Sequence, residues 1–562
     1  MKNNIILFLL VLGTINLHGC HEALEIEDTQ NLSDLAVWSS EDAADLYVTA
    51  SYKTFSDVSQ VANSRHQYFD SYSDLMKSTS WDQYNHSYNK ALLQSTSFVT
   101  GSAGAFESWS AVYDRIRRAN VLLDDISRYG EPKFGQDWAD IRRAEARFCR
   151  AFSYYRLIRV YGGVVIRTES SGANGGVDDG ANPADVHRAR ASEEESWDFV
   201  LRELEWAADK LPNSWPGAWK GRATKRAAYG LLSRIALHAK QWEIAITAAN
   251  KVKELGGALA ADYAKVFQVD SDQDNSAELL FTLYYQTGSL VHSYDRYNRP
   301  FGDREVYTTD VYAEHVPTAE LADLYEFSDG TPFSWDSWSA DYEDPYSARE
   351  PRFHATILYN GAPWENRTIE TFVGGADGFQ AFTQTGSTAG HTCTGYYLRK
   401  YLQEGNSSFP TTGSYQYDAV LRYAEVLLNK AEAYAELDFN AHRVAALAAL
   451  NEVRARVGLP PRDASTKESF MAYLRQERAV ELAGEGLRYW DLRRWKLAES
   501  VIHGKNAHGI KITRASDGAL SYERVEVDGG TPRIFLNKYY YFSLPTSELA
   551  NNNLAENNDL WF

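Results

Sequence analysis

The chain has 562 residues, a formal net charge of -19 at pH 7 and an aromatic content of 13%. This length exceeds that of a usual single domain, so we expect either two domains or one large scaffold with long insertions. The negative charge, with no local basic stripe, argues against nucleic acid and acidic membrane surfaces as partners and leaves neutral ligands and other proteins.

The first twenty residues have the layout of a secretory signal. Lys2 precedes an apolar run at residues 5–12 that is too short to span a membrane. The sequence Leu-His-Gly-Cys then resembles a bacterial lipobox, in which the chain is cut before the cysteine and its thiol receives a lipid. His18 departs from the small or hydroxyl residue usual there, so ordinary cleavage and a free secreted protein remain the alternative. We predict a signal peptide over residues 1–19 and lipidation at Cys20.

An acidic leader over residues 20–40 is predicted to tether a mainly helical body. Apolar residues recur three and four positions apart in four stretches, which are 41–55, 104–126, 138–162 and 192–212. The last stretch opens with Ser192 and Glu195, which have the spacing of a capping box, so a helix should begin there.

Two further stretches, 221–256 and 423–458, have the pattern of helical hairpins that are rich in small residues. Each approaches the roughly 34 residues of a tetratricopeptide unit, although the full consensus of that repeat is absent. Together with the preceding helices, they predict a mainly α fold. Four tetratricopeptide-like hairpins would form a short right-handed solenoid, packed against a loop-rich region with a few short strands.

The middle of the chain, residues 257–415, is rich in Gly, Asp, Ser, Thr and Tyr and has no helical periodicity. Residues 162–191 form a smaller Gly-rich insertion. Long loops on a rigid helical base commonly carry binding residues. We therefore divide the mature chain into a helical region over 41–256, a loop-rich region over 257–415 that carries ligand-binding segments, and a last helical pair with the C-terminal segment over 416–562.

Residues 477–495, ERAVELAGEGLRYWDLRRW, raise the question of a carboxylate-lined active site. Glu477, Glu481 and Glu485 are spaced four apart and would share one helix face. A glycosidase needs two facing carboxylates, one of them protonated, whereas carboxylates paired with arginines stay ionised. The interleaved arginines favour a structural role over catalysis. No HExxH, paired CxxC, GxSxG or P-loop motif occurs in the chain, and we predict no metal and no cofactor.

Several segments resemble the SusD/RagB family, in the order in which that family has them. These segments are residues 143–166, 395–402, 422–437, 449–460, 477–495 and 539–562. The tail lacks the Asn-Pro pairs common in the family. The resemblance covers essentially the whole chain and implies a non-enzymatic outer-membrane lipoprotein of Bacteroidetes. Such proteins form a lid on a SusC-like TonB-dependent transporter and capture glycans for import.

Three clusters combine aromatic and polar side chains, as stacking on sugar rings requires. The candidates are Trp81, Tyr84 and Asn85 in the first cluster, Tyr294, Arg296 and Tyr297 in the second, and Trp335 and Trp338 in the third. Each cluster has a structural alternative. The first has helical spacing, the second could cover the small core of the loop-rich region, and the third could also be core, although its segment is polar and aperiodic. Trp215 and Trp219 are a fourth candidate, but Pro216 and Gly217 favour a wedge between helices.

Our leading hypothesis is a lipid-anchored protein on the outer face of the outer membrane that captures an oligosaccharide or polysaccharide and delivers it to a SusC-like transporter. A peptide-capturing RagB-like lipoprotein is the first alternative. A surface glycoside hydrolase that uses Glu477 or Glu485 is the second and is less favoured. No nucleic acid partner is expected.

Overall fold

The computed structural model describes residues 34–62, 68–79, 93–94, 107–168, 187–269, 276–335, 338, 344–383 and 388–561. The helices of the N-terminal half are α1 (Asp34–Val37), α2 (Glu41–Thr49), α3 (Lys53–Ser56), α4 (Trp109–Asp125), α5 (Glu131–Phe134), α6 (Gln136–Tyr161), α7 (Glu193–Lys210), α8 (Lys225–His238) and α9 (Trp242–Glu254). Those that follow are α10 (Tyr294–Asn298), α11 (Asp303–Tyr307), α12 (Ala319–Leu324), α13 (Pro351–Thr356), α14 (Phe409–Thr412), α15 (Tyr423–Arg456), α16 (Lys467–Glu481), α17 (Arg488–Arg494), α18 (Ala498–Ile502) and α19 (Thr546–Asn551).

The strands are short and pair only in twos within the described residues. They are β1 (Met76–Ser78), β2 (Leu279–Leu283), β3 (His315–Pro317), β4 (Ile357–Leu358), β5 (Pro363–Trp364), β6 (Arg367–Thr368), β7 (Tyr397–Leu398), β8 (Asp418–Arg422), β9 (His508–Arg514) and β10 (Leu520–Glu526). The antiparallel pairs are β1 with β3, β2 with β8, β4 with β7, β5 with β6, and β9 with β10.

The long helices pack on one another in chain order, which confirms the predicted mainly α fold. Helix α4 packs on α6, α6 on α7, α7 on α8, α8 on α9, α9 on α15, and α15 on α16. Helix α15 is itself two helical arms, because Asp438 interrupts it with φ of -165° and ψ of 100°. These arms correspond to the hairpin predicted at 423–458.

Small residues allow the close approaches that this packing needs. A Cβ atom at Gly230 in α8 would lie 2.6 Å from Leu421 Cδ2, so β8 can approach the helix only because this residue has no side chain. Ala227 and Ala228, in the preceding turn of α8, are fully buried.

The predicted capping box at the start of α7 is present. Ser192 Oγ accepts a hydrogen bond from Glu195 N at 3.0 Å, and Glu195 Oε2 accepts one from Ser192 N at 2.8 Å. The two side chains thereby satisfy two backbone N–H groups at the helix start that would otherwise depend on water.

The described part of the loop-rich region shares its core with the helices. Trp364 and Tyr397 from this region are fully buried, and they belong to the same continuous apolar cluster as Phe148 and Leu204 of the helical region. The helices therefore hold the loops through a common core. No helix in the described part of the chain is long and apolar enough to cross a membrane.

Candidate ligand-binding surface

Three partly exposed aromatic rings meet where the segment after α12 packs on β10. Trp335, Trp338 and Tyr522 form this group, which we call the tryptophan patch. The ring centroids of the two tryptophans are 6.3 Å apart. The Tyr522 ring lies 5.9 Å from Trp335 and 5.5 Å from Trp338. The structure therefore brings both predicted tryptophans together and adds a tyrosine that the sequence did not single out.

Polar groups at the base of the tryptophan patch fix the position of Trp335. Its Nε1 donates to Asp323 Oδ1 at 3.1 Å, and the same carboxylate accepts from Arg524 on β10. Burial raises the pKa of Asp323, although Arg524 acts in the opposite direction. Beneath the patch, the fully buried Tyr346 lies 6.2 Å from Tyr522. The patch is thus a surface feature with a rigid base.

A second aromatic surface, the tyrosine pair, consists of Tyr297 and Tyr312. Their ring centroids are 5.5 Å apart with an interplanar angle of 32°, and both rings are partly exposed. Arg296 is also partly exposed, and its guanidinium lies 6.0 Å from the Tyr312 ring. Two of the three residues predicted in this cluster therefore lie at the surface.

Tyr294, the third residue of that cluster, lies in the core. Its side chain is fully buried, and its hydroxyl donates to the Lys400 carbonyl at 3.1 Å. The ring also packs edge-on to Tyr401 at 6.2 Å. Tyr294 therefore presents no ring face to a ligand, and the structural alternative holds for this residue because it sits on the inner side of the short helix α10.

The first predicted cluster, Trp81, Tyr84 and Asn85, lies outside the described residues, as does Cys20. The chain that leads to this cluster is described as far as Thr79. Thr79 N donates to the Glu314 carbonyl at 2.9 Å, and Glu314 N donates to the Tyr297 carbonyl at 2.7 Å. The backbone of Glu314 therefore connects Thr79, the last described residue before the cluster, to Tyr297 of the tyrosine pair.

The structure also has a groove of about 1030 Å³ that sequence reasoning did not locate. It runs between α2, α4 and the segments 217–222 and 282–291. Trp219 lines it, whereas Trp215 packs inward, with Nε1 donating to the Ala223 carbonyl at 2.7 Å. The lining residues come from distant segments, so no local pattern marks the groove. Its aromatic and cationic lining residues are Tyr47, Tyr52, Trp219, Tyr284, Tyr285, Lys53, Arg115, Arg117, Arg118, Lys220 and Arg222.

The glutamates of 477–495 are paired, as predicted, but their partners come from other segments. Arg352 Nη1 lies 2.5 Å from Glu477 and 3.1 Å from Glu481. Arg422 Nη2 lies 2.6 Å from Glu485. Burial alone would raise the pKa of Glu481 and Glu485, but the neighbouring cations outweigh it and hold both pKa values below their ordinary range. An ionised carboxylate at neutral pH cannot serve as a general acid.

One expectation about this segment is wrong. It is not a single helix, since α16 ends at Glu481 and α17 begins at Arg488. Gly484 and Gly486 have φ of 77° and 75°, a left-handed conformation that glycine adopts without strain and that ends the helix. Glu485 lies in this turn. Within the described residues, no group of three or more His, Cys, Asp or Glu side chains could hold a metal ion.

The C-terminal half of the chain matches a known family. The sequence model described as the SusD family matches residues 266–561. The chain belongs to the SusD family. A second family model, described as starch-binding associating with outer membrane, matches residues 25–237.

Relatives of this SusD family protein span most of its length. A SusD-like protein of Bacteroides ovatus is 23% identical and aligns over 80% of this chain and 78% of its own. SusD-like protein P2 of Formosa agariphila is 25% identical, over 82% of this chain and 80% of its own.

Solved structures share the fold. A SusD-like protein from Bacteroides fragilis has a TM-score of 0.78 at 27% identity, over 94% of this chain and 98% of its own. A SusD-like carbohydrate binding protein from the same species has a TM-score of 0.76 at 24% identity, over 92% of this chain and 99% of its own. A laminarin binding SusD-like protein has a TM-score of 0.61 at 20% identity, over 92% of this chain and 99% of its own.

Two of the segments that carried the resemblance contribute buried residues to the core of this SusD family protein. Phe148 and Tyr154 from residues 143–166 are fully buried, and Trp490 from residues 477–495 is 2% exposed. These segments therefore contribute to the fold, while the tryptophan patch and the tyrosine pair lie outside them.

Proposed function

We propose that this protein binds glycans at the bacterial cell surface without cleaving them. The observation that carries the proposal is that the chain belongs to the SusD family. Its N-terminal part also matches a family described as starch-binding associating with outer membrane. The names of two structural relatives, one carbohydrate binding and one laminarin binding, point in the same direction.

The tryptophan patch and the tyrosine pair support glycan recognition on physical grounds. Sugar rings present apolar faces with hydroxyl groups around the edge, and Trp and Tyr offer an apolar face next to a polar tip. Trp335, Trp338 and Tyr297 keep part of their surface exposed in regions of the fold that are held rigidly from below. We propose that these residues, with Arg296, contact the glycan, and that Trp81, Tyr84 and Asn85 complete the surface.

The proposal includes a membrane anchor and a transporter partner. The lipobox-like sequence that ends at Cys20 supports lipidation, and a lipid anchor would hold the protein at the outer membrane, facing outward. Family resemblance supports delivery of the captured glycan to a SusC-like TonB-dependent transporter. The ionised, salt-bridged state of Glu481 and Glu485 supports a binding role over catalysis.

Affinity electrophoresis against a panel of neutral and acidic polysaccharides tests the proposal. We expect slower migration in at least one glycan and no release of sugar from it. Unchanged migration in every glycan would contradict the proposal and favour the peptide-capturing alternative. Released sugar that disappears in Glu485→Gln would instead favour the hydrolase.

Site variants then test the proposed surface. We expect Trp335→Ala and Trp338→Ala to weaken retention by the selected glycan at least tenfold, since stacked aromatic contacts dominate such binding, while the far-ultraviolet circular dichroism stays unchanged. Trp219→Ala is the matched control, because it removes a partly exposed tryptophan from the groove. Normal retention in both patch variants together with a loss in Trp219→Ala would place the glycan in the groove.

A further inference from the structure

A small cavity with a strongly cationic lining contains none of the residues of the tryptophan patch. It measures about 150 Å³ and lies between the last turn of α6, the start of α7, the end of α8 and α17; we call it the α6–α17 cavity. Among the described residues, five cationic side chains and one acidic side chain line it, namely Arg159, Lys240, Arg493, Arg494, Lys496 and Glu193. The one carboxylate is already engaged, because Glu193 Oε1 accepts from Tyr541 and, at 3.2 Å, from Trp197 Nε1.

Arg159 is a buried cation whose donors are not satisfied. Its side chain is only 7% exposed, and its Nε and Nη2 atoms are buried without a hydrogen-bond partner among the described residues. The carboxylate oxygen that approaches it, Glu107 Oε2, is 3.8 Å from Nη2 and already accepts from Arg156 Nε at 3.0 Å. The guanidinium is held in place by stacking, 3.9 Å from the Trp490 ring centroid.

Three other buried arginines of this protein have close carboxylate partners. The shortest nitrogen–oxygen distance is 2.6 Å for Arg156 with Glu107, 2.5 Å for Arg234 with Glu425 and 2.9 Å for Arg478 with Asp491. A buried charge is costly unless a counter-charge and hydrogen bonds compensate it. Arg159 therefore differs from these three arginines in having no close carboxylate partner.

A second buried guanidinium on the cavity wall also lacks a carboxylate partner among the described residues. Arg493 donates to the backbone carbonyls of Tyr539, Tyr540 and Arg159 and to the Tyr489 hydroxyl, so its buried Nε is the one guanidinium nitrogen without a partner in the described part of the chain. Arg494, in contrast, pairs with Glu432 and Asp491. The uncompensated charge of the cavity is therefore concentrated on Arg159 and Arg493.

Two exposed lysines stand at the opening of the cavity. Lys240 and Lys496 both line it, and the Lys496 ammonium lies 4.3 Å from the Tyr540 ring centroid. Partial burial and the positive charges of Arg493 and Lys240 lower the pKa of Lys496, although Glu193 acts in the opposite direction.

We propose that the α6–α17 cavity is a binding site for a small oxyanion group, with Nε and Nη2 of Arg159 and Nε of Arg493 as the inner donors and Lys240 and Lys496 at the entrance. Guanidinium groups recognise the oxygens of phosphate, sulfate and carboxylate through charge-assisted hydrogen bonds. The size is suitable, because protein cavities of about 150 Å³ hold molecules as large as benzene. The oxyanion could be free phosphate or sulfate, or an anionic substituent of a sugar.

Calorimetric titration of the mature chain with sodium phosphate, at constant ionic strength, tests the proposal independently of glycan binding. We expect saturable binding at one site, weakened about three- to tenfold in Lys496→Met, since this variant keeps the aliphatic stem and removes only the charge. Lys253→Met is the matched control, because Lys253 is a 60% exposed lysine on α9 that does not line the cavity; it should bind as the wild type does. Arg159→Gln should weaken binding by more than tenfold, provided that its circular dichroism matches the wild type.

Parallel titrations with sodium sulfate and with glucuronate separate the sources of the oxyanion. Binding of the inorganic ions alone would assign the site to a free ion, and binding of glucuronate alone to an acidic sugar. The absence of saturable binding for all three probes would overturn the proposal, and the cavity would then hold only water. Equal affinities in wild type, Lys496→Met and Arg159→Gln would overturn it too, because the anion would then bind elsewhere.

Discussion

Glu481 is a fully buried carboxylate that meets three guanidinium groups. Arg352 and Arg422 each approach it to 3.1 Å, and Arg456 also pairs with it. Glu278 in turn accepts from Arg422 and Arg456, so acids and bases alternate in one buried network. The network joins α13, β8, α15 and α16, which come from widely separated parts of the chain. Such a network specifies one arrangement of these elements, because any other leaves charges buried without partners.

We predict that Glu481→Gln destabilises the protein by about 3 to 5 kcal/mol, since removing one partner leaves buried arginines without a counter-charge. Urea denaturation of wild type and variant measures this difference. Glu523→Gln is the matched control, because Glu523 is 66% exposed and its ion pair with Lys511 is long, at 3.5 Å; it should change stability by less than about 0.5 kcal/mol. A loss in Glu481→Gln as small as in the control would contradict the structural role.

The same reasoning predicts a pH dependence at Asp491. Burial alone would raise its pKa, but Arg478 and Arg494 outweigh it and lower the pKa from the ordinary 3.8 to about 2. A depressed carboxylate pKa stabilises the fold above the unfolded pKa, and this contribution disappears as the pH falls through the folded value. It is therefore present above pH 3.8 and is lost towards pH 2.

We expect Asp491→Asn to lose roughly 2 to 3 kcal/mol at pH 6, from a shift of about two pKa units, and the difference from wild type to shrink as the pH falls towards 2.5. Urea unfolding at several pH values measures it. Asp209→Asn, at a 71% exposed site, serves as the control. A difference from wild type that is the same at pH 6 and pH 2.5 would show that Asp491 contributes by packing alone.

At this scale the sequence predicted that the glutamates are paired, but it did not predict the partners. Four-residue spacing is a local property, whereas Arg352 and Arg422 reach Glu481 only through the tertiary fold. Tyr294 and Tyr297 show the same limit. They are three residues apart in one short helix, yet Tyr294 is buried and Tyr297 is partly exposed.

At the scale of elements, helix starts were more predictable than helix ends. The Ser192 capping box could be read from four residues because all its contacts are local. The turn between α16 and α17 was missed, although Gly484 and Gly486 stood in the sequence, because the strong charge pattern on both sides resembles a single helix. The groove beside Trp219 was missed because it is assembled from separate segments.

Ser192→Ala tests the importance of one such local signal. Removing the cap leaves Glu195 N without its acceptor, so we expect a loss of about 1 kcal/mol, measured by urea denaturation. Thr247→Ala is the control, because Thr247 is exposed within α9 and alanine is the better helix former; it should leave stability unchanged or slightly raise it. Equal effects of the two substitutions would show that the cap does not stabilise α7.

At the scale of the whole molecule, the fold and the family follow from the sequence more readily than the binding surface does. The core segments are helical and locally patterned, and the chain belongs to the SusD family. The aromatic surfaces combine residues from loops and short elements that are far apart in sequence, as with Trp338 and Tyr522, which are nearly two hundred residues apart. Local patterns cannot show such a pairing, because it depends on how loops fold over the common core.

The central claim is that the intact protein binds a glycan and leaves it intact. Isothermal titration of the mature chain with an oligosaccharide from the glycan selected by electrophoresis, followed by sugar analysis of the same sample, tests it most directly. We predict saturable heat that is lost in the Trp335→Ala/Trp338→Ala double variant, and an oligosaccharide recovered at its original length. The absence of binding heat, or an oligosaccharide shortened during the titration, would contradict this account.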